Sequence, residues 1–176
     1  MKNIIAVSVI ILCSIGSLKA QKCKWATNEV DGFSGEKHLV AKKELVNQDK
    51  HKFGEAQSYC TVTLELKKNT VLMNLKHHIG GPALGVAKIN APTLSLRPEK
   101  GEVIQIASTE SFVCQLFIGA TEVDFQFEIS KEQLSVLNSG MAAFRLSFEG
   151  KDYDFTLTDK EKDKLTQQFV CLSSEL

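Results

Sequence analysis

Proline is scarce in this chain. Its three copies among 176 residues (Pro82, Pro92 and Pro98) all lie in one central stretch, so no proline-rich linker divides it and no polyproline or collagen-like repeat is present. Large aromatics with a polar handle are few as well. One tryptophan (Trp25) and two tyrosines (Tyr59, Tyr153) are present, too few for the several sugar platforms of a typical glycosidase cleft. No G-x-S-x-G elbow supplies a serine nucleophile, and no C-x-x-C pair starts a zinc knuckle. Net charge is also missing: 21 basic and 21 acidic residues balance. Nucleic acid and anionic lipid, which demand clustered positive charge, are therefore not the expected partners.

What the chain does have begins at its start. Lys2 precedes the apolar run from Ile4 to Leu12, and small and polar residues then lead to Lys19-Ala20. This is the layout of a secretory signal peptide over 1–20. Leu18 is larger than the residue usually found three positions before the cut. The run falls short of the roughly 20 residues that span a bilayer, so a stable membrane span is not expected. Removing 1–20 from 176 residues leaves 156, and Lys2 and Lys19 leave with it, so 19 basic and 21 acidic residues give the mature chain a formal charge of −2. A single β-rich domain over 21–176, secreted or periplasmic, is expected.

Cysteine usage agrees with export. Cys13 belongs to the signal, leaving Cys23, Cys60, Cys114 and Cys171, an even number for an oxidising compartment. Cys13 follows Leu12 and Cys23 follows Lys22, so neither fits a lipoprotein anchor. Three pairings are open. Inward positions in their strands favour Cys60 with Cys114, which leaves Cys23 near the mature start to join Cys171 in the last helix.

Period-two alternation dominates and marks half-buried strands. Over 58–67 it sets Cys60, Val62, Leu64 and Leu66 against Thr61, Thr63 and Glu65, and over 123–129 it sets Val123, Phe125, Phe127 and Ile129 against Asp124, Gln126 and Glu128. It recurs in Phe144, Leu146 and Phe148, and in Tyr153, Phe155 and Leu157, two runs that predict a hairpin around Glu149-Gly150-Lys151-Asp152. Further strands are predicted at 38–46, 70–76, 94–97, 103–107 and 112–118. Ser130-Lys131-Glu132-Gln133 and Thr158-Asp159-Lys160-Glu161 are capping boxes. The first opens a short helix. The second opens a C-terminal helix whose Leu165, Phe169 and Leu172 share one face. The fold class is mainly β (α+β): an antiparallel two-sheet sandwich, with a partly closed barrel as the alternative.

The candidate sites are weak. His77-His78-Ile79-Gly80-Gly81-Pro82 offers two imidazoles, but neighbouring strand residues face opposite ways. The stretch is expected to be a loop after the strand at 70–76. The oxygen-rich run Asn28 to Glu36 lacks the EF-hand pattern and reads as a turn leading into the first strand. The glycines and prolines of 80–98 predict a long connection, more a passive crossover than a binding loop. No cofactor, metal site or catalytic residue is assigned, and the balance leans against an enzyme.

Asn28-Glu29-Val30-Asp31-Gly32-Phe33-Ser34-Gly35 and the run from Phe144-Arg145-Leu146-Ser147-Phe148 through Tyr153-Asp154-Phe155 to Phe169-Val170-Cys171-Leu172 resemble small secreted proteins of Bacteroidota-type bacteria that have no assigned function. The resemblance covers about half of the mature chain and implies a bacterial envelope or extracellular origin, with no site residues to carry over. The expectation is an exported, non-enzymatic binding or envelope-associated module, its partner a protein, a glycan or a small apolar ligand. The alternatives are a carrier of a small apolar ligand and a small secreted hydrolase.

Overall fold

The computed structural model describes residues 23–49, 58–80, 88–89, 91–108, 112–117 and 120–176, with the backbone alone at 88, 112–117 and 120. The expected signal at 1–20 and residues 81–87 of the glycine- and proline-containing stretch lie outside the described residues.

The alternating runs form strands as expected. In chain order they are β1 (Trp25–Val30), β2 (Lys37–Ala41), β3 (Glu44–Asn47), β4 (Tyr59–Lys67), β5 (Thr70–Gly80), β6 (Lys88–Ile89), β7 (Thr93–Pro98), β8 (Ile104–Ala107), β9 (Phe112–Phe117), β10 (Ala120–Ile129), β11 (Met141–Phe148) and β12 (Lys151–Thr156). Helix α1 (Lys131–Leu137) precedes β11 and α2 (Asp159–Ser173) ends the fold. An eight-stranded antiparallel sheet runs β1-β2-β4-β5-β10-β9-β6, with β3 also paired to β4, and a four-stranded sheet runs β12-β11-β7-β8. The two sheets form a sandwich and do not close into a barrel.

Three expectations need correction. The first strand is β1, which already contains Asn28 to Val30, so only 31–36 is the turn between β1 and β2. The strand expected at 38–46 is two strands: Val40 pairs Glu65 while Glu44 pairs Val62, so one extra residue bulges out around Lys42-Lys43. The strand at 70–76 continues through both histidines to Gly80, because β4 and β10 pair with it over that length, from Lys67↔Thr70 to Ala120↔Gly80. Local turn residues suggested a loop there. Ladder hydrogen bonds on both sides outweigh that preference.

The facing sides of the two sheets make one core. Cys60, Val62, Leu64, Met73, Leu75, Val123, Phe125 and Phe127 from the large sheet meet Leu94, Leu96, Phe144, Leu146, Phe148 and Phe155 from the small one, all buried. Each such side chain contributes about 1.5–3 kcal/mol by leaving water. Aromatic rings stack through the centre: Phe144 on Phe155 at 4.5 Å, Phe148 on Tyr153 at 4.7 Å and Phe125 near Phe148 at 5.0 Å between centroids. His77 is buried among them, edge-on to Tyr153 at 4.7 Å and to Phe155 at 5.2 Å.

Both helices start as their caps predict. The Ser130 hydroxyl accepts from the Gln133 amide, and the Ser130 amide donates to Gln133 Oε1 at 2.9 Å. The Thr158 amide donates to Glu161 Oε2 at 2.7 Å. Leu165, Phe169 and Leu172 of α2 are buried against the sandwich. A Cys23–Cys171 disulfide fixes that helix to the start of β1 across a sequence separation of 148.

The expected Cys60–Cys114 bridge is not formed; Cys60 is a buried free thiol. Cys60 pairs His77, His77 pairs Val123, and Val123 pairs Cys114, which places the two cysteines three strands apart in one row of one sheet. Three spacings of about 4.8 Å put their backbones about 14 Å apart, whereas a disulfide needs Cα atoms within about 7 Å. Alternation gave the face of each strand and left the sheet order open. The side chain of Cys114 lies outside the described residues. Burial pushes the Cys60 thiol pKa well above its usual range.

Candidate functional site

The sequence-predicted candidates do not converge. His77 points into the core and His78 onto the outer face of the large sheet, as adjacent strand residues must. His78 stacks on Tyr59 with centroids 4.7 Å apart, and its Nδ1 lies 3.1 Å from Glu122 Oε2. Among the described residues no cluster of histidine, cysteine and acidic side chains could hold a metal ion. In the turn between β1 and β2, Asp31 Oδ1 accepts from the amides of Phe33 at 2.9 Å and Ser34 at 2.6 Å and from the Ser34 hydroxyl at 3.0 Å. That oxygen is committed to its own loop. The bonds hold the Asp31 carboxyl below the usual aspartate range, with the Ser34 amide the largest cause.

The outer face of the large sheet is a closed polar network. His38 Nε2 is 2.9 Å from Glu65 Oε1, Asn74 donates to Glu65 Oε2 at 2.9 Å, and Gln126 donates to Asn74 at 2.8 Å. Lys76 donates to Glu122 Oε1 at 2.7 Å, which raises the lysine pKa. These long polar side chains answer one another and leave few groups for a ligand.

The exposed face of the small sheet differs. Register sets Arg97 opposite Ala143 and Arg145 opposite Ser95, with Gln105 beyond Ser95 on β8. The small side chains at 95 and 143 lower the floor, leaving a trough of about 420 Å³. On one side Arg145 is held by the carboxylate of Asp154, through Nε at 2.6 Å and Nη2 at 3.0 Å, with Asp152 3.3 Å away. The Asp154 hydrogen bond raises the already high guanidinium pKa. Beyond it, Asp49 receives the Thr156 amide at 2.8 Å and hydroxyl at 2.7 Å and so closes the edge of β12. On the other side, among the described residues, Arg97 has no ion-pair partner and neither the Ser95 hydroxyl nor the Gln105 amide has a hydrogen-bond partner. An unpaired guanidinium fork with two further donors over a low floor is chemistry for a carboxylate.

Sequence reading missed this site. Arg97 lay in the stretch weighted as a passive crossover, and its openness depends on which residues β8 and β11 place beside it. No spacing within one segment carries that information. Comparison with protein-family models, curated proteins and solved structures gives no match to this chain.

Proposed function

We propose that this protein is an exported, non-enzymatic binding module that takes a carboxylate-bearing ligand on the exposed face of its four-stranded sheet. The observation that carries the reading is Arg97, an exposed guanidinium without an acidic partner among the described residues, beside the unbonded donors of Ser95 and Gln105. Its neighbour Arg145 is neutralised by two aspartates, so the vacancy at Arg97 is specific to that position. Stacked rings fill the space between the sheets, which favours an external ligand over an apolar one carried inside. The leader-like residues 1–20 and the Cys23–Cys171 bond support export.

The test is amide-shift mapping with a panel of acidic peptides and acidic oligosaccharides. Shifts should cluster on β7, β8 and β11, and Arg97→Ala should weaken binding at least about tenfold, the loss expected for a charge-assisted bond worth about 1.5–3 kcal/mol. Arg97→Lys should recover only part, because an ammonium does not reproduce the bidentate fork. Shifts confined to other surfaces would refute the assignment, as would turnover of a substrate abolished by one acid substitution.

A further inference from the structure

We infer that a second cavity, beside the Cys23–Cys171 disulfide and away from the trough, is a binding site for a sugar ring carrying an acidic group. The cavity measures about 280 Å³ and is bounded by Lys24, Trp25, Lys42, Gln168 and Cys171, with the Lys164–Glu44 ion pair at its side. Small-ligand pockets start at about 300 Å³. At about 280 Å³ the cavity sits at the small end of that range and suits a single ring, with the rest of a longer sugar outside.

Several irregularities meet at this corner. Trp25 pairs Ala41 but Thr27 pairs Val40, so β1 bulges at Ala26. The second bulge, at Lys42-Lys43, lies next to it in the partner strand. Bulges re-aim side chains and gather beside functional sites. The Lys42 carbonyl, turned out of the ladder, is taken by Gln168 Nε2 at 3.0 Å. This leaves Gln168 Oε1 buried and without a hydrogen-bond partner among the described residues. The disulfide anchors the residue two places before Trp25 to α2, so the indole is held in place before any ligand arrives.

Each feature selects part of the ligand. The indole lines the cavity while packing on the core, and offers an apolar plate for the C–H face of a pyranose. Gln168 Oε1 would accept from a ring hydroxyl after a turn of its soft terminal torsion, which exchanges the Nε2 bond to the Lys42 carbonyl for the bond to the ligand. Lys24 and Lys42 are exposed and have no acidic partner among the described residues, whereas Lys164 is matched by Glu44. The unbalanced charge is positive and calls for a carboxylate on the sugar.

Trp25 is the sole tryptophan, so emission excited beyond the tyrosine absorption band reports this site alone. The mature protein is titrated with digalacturonate and with the uncharged disaccharide galactobiose. Digalacturonate should shift the emission saturably, and galactobiose should do so at least about tenfold more weakly, the equivalent of about 1.4 kcal/mol. The Lys24→Ala/Lys42→Ala double variant, altered only at exposed positions, should remove that preference, while Lys100→Ala, exposed and outside both cavities, should leave the response unchanged. The absence of a saturable change with either sugar would overturn the site. Equal responses to both, or a digalacturonate response undiminished by loss of the lysines, would overturn its acidic specificity.

Discussion

At the residue scale, Asp31 shows how one side chain organises a surface feature. By accepting from the Phe33 and Ser34 amides it fixes the hairpin tip, and Phe33 stands there 105% exposed. The run Asn28 to Glu36, read from its glycines and acids as a turn, also spaces its oxygens closely, but spacing does not say whether those oxygens are free. The bonds favour the charged carboxylate, so its folded pKa is depressed. The order this gives the tip is therefore present above the ordinary aspartate value of 3.8 and lost as pH falls through the lower folded value. An NMR titration should place the Asp31 midpoint below 3.8, with the Phe33 and Ser34 amides moving in step. A midpoint at or above that value would contradict the hydrogen bonds.

At the element scale, the predicted hairpin at 149–152 tightens to a two-residue turn. β11 ends at Phe148 and β12 begins at Lys151, while Glu149 and Gly150 take φ of 49° and 69°. Two positive φ values match the twist of the strands they join. Lys68 and Asn69, at 51° and 59°, make the same connection between β4 and β5, where the sequence has no glycine to announce it. A left-handed conformation costs an ordinary residue about 1–2 kcal/mol, and asparagine less. Glu149→Asn should therefore raise stability by about 0.5–1 kcal/mol, read as a higher urea midpoint with an unchanged slope. An unchanged or lower midpoint would mean that Glu149 makes compensating contacts. The helix starts were easier to read because a capping box spans four consecutive residues and needs no distant partner.

At the scale of the whole molecule, the Cys23–Cys171 bond ties the first described strand to the last helix. Closing so long a loop restricts the unfolded chain strongly, and its reduction should cost about 2–5 kcal/mol. Equilibrium unfolding with and without reductant measures this directly. The Cys23→Ala/Cys171→Ala variant should match the reduced protein, because Cys60 is buried with a raised thiol pKa and forms no bridge. A variant as stable as the oxidised protein would show that α2 docks by packing alone. Loss of the bond should also loosen the corner that holds Trp25 and leave the trough around Arg97 intact.

The alternation of apolar and polar residues was enough to predict most strands and their buried faces, because side chains reverse direction at every residue along a strand. From the sequence, the Cys23–Cys171 partnership follows only as the remainder of a Cys60–Cys114 pairing that does not form, so alternation does not itself supply it. Apart from hairpins such as β11–β12, which strands lie side by side depends on long-range pairing, and no local pattern records it. That pairing put Cys60 and Cys114 in one row of one sheet, carried β5 through both histidines, and left Arg97 without a carboxylate beside it. It likewise brought two bulges, a disulfide and the sole tryptophan to one corner. The faces follow from the backbone of each strand; the sites follow from neighbours that arrive from elsewhere in the chain.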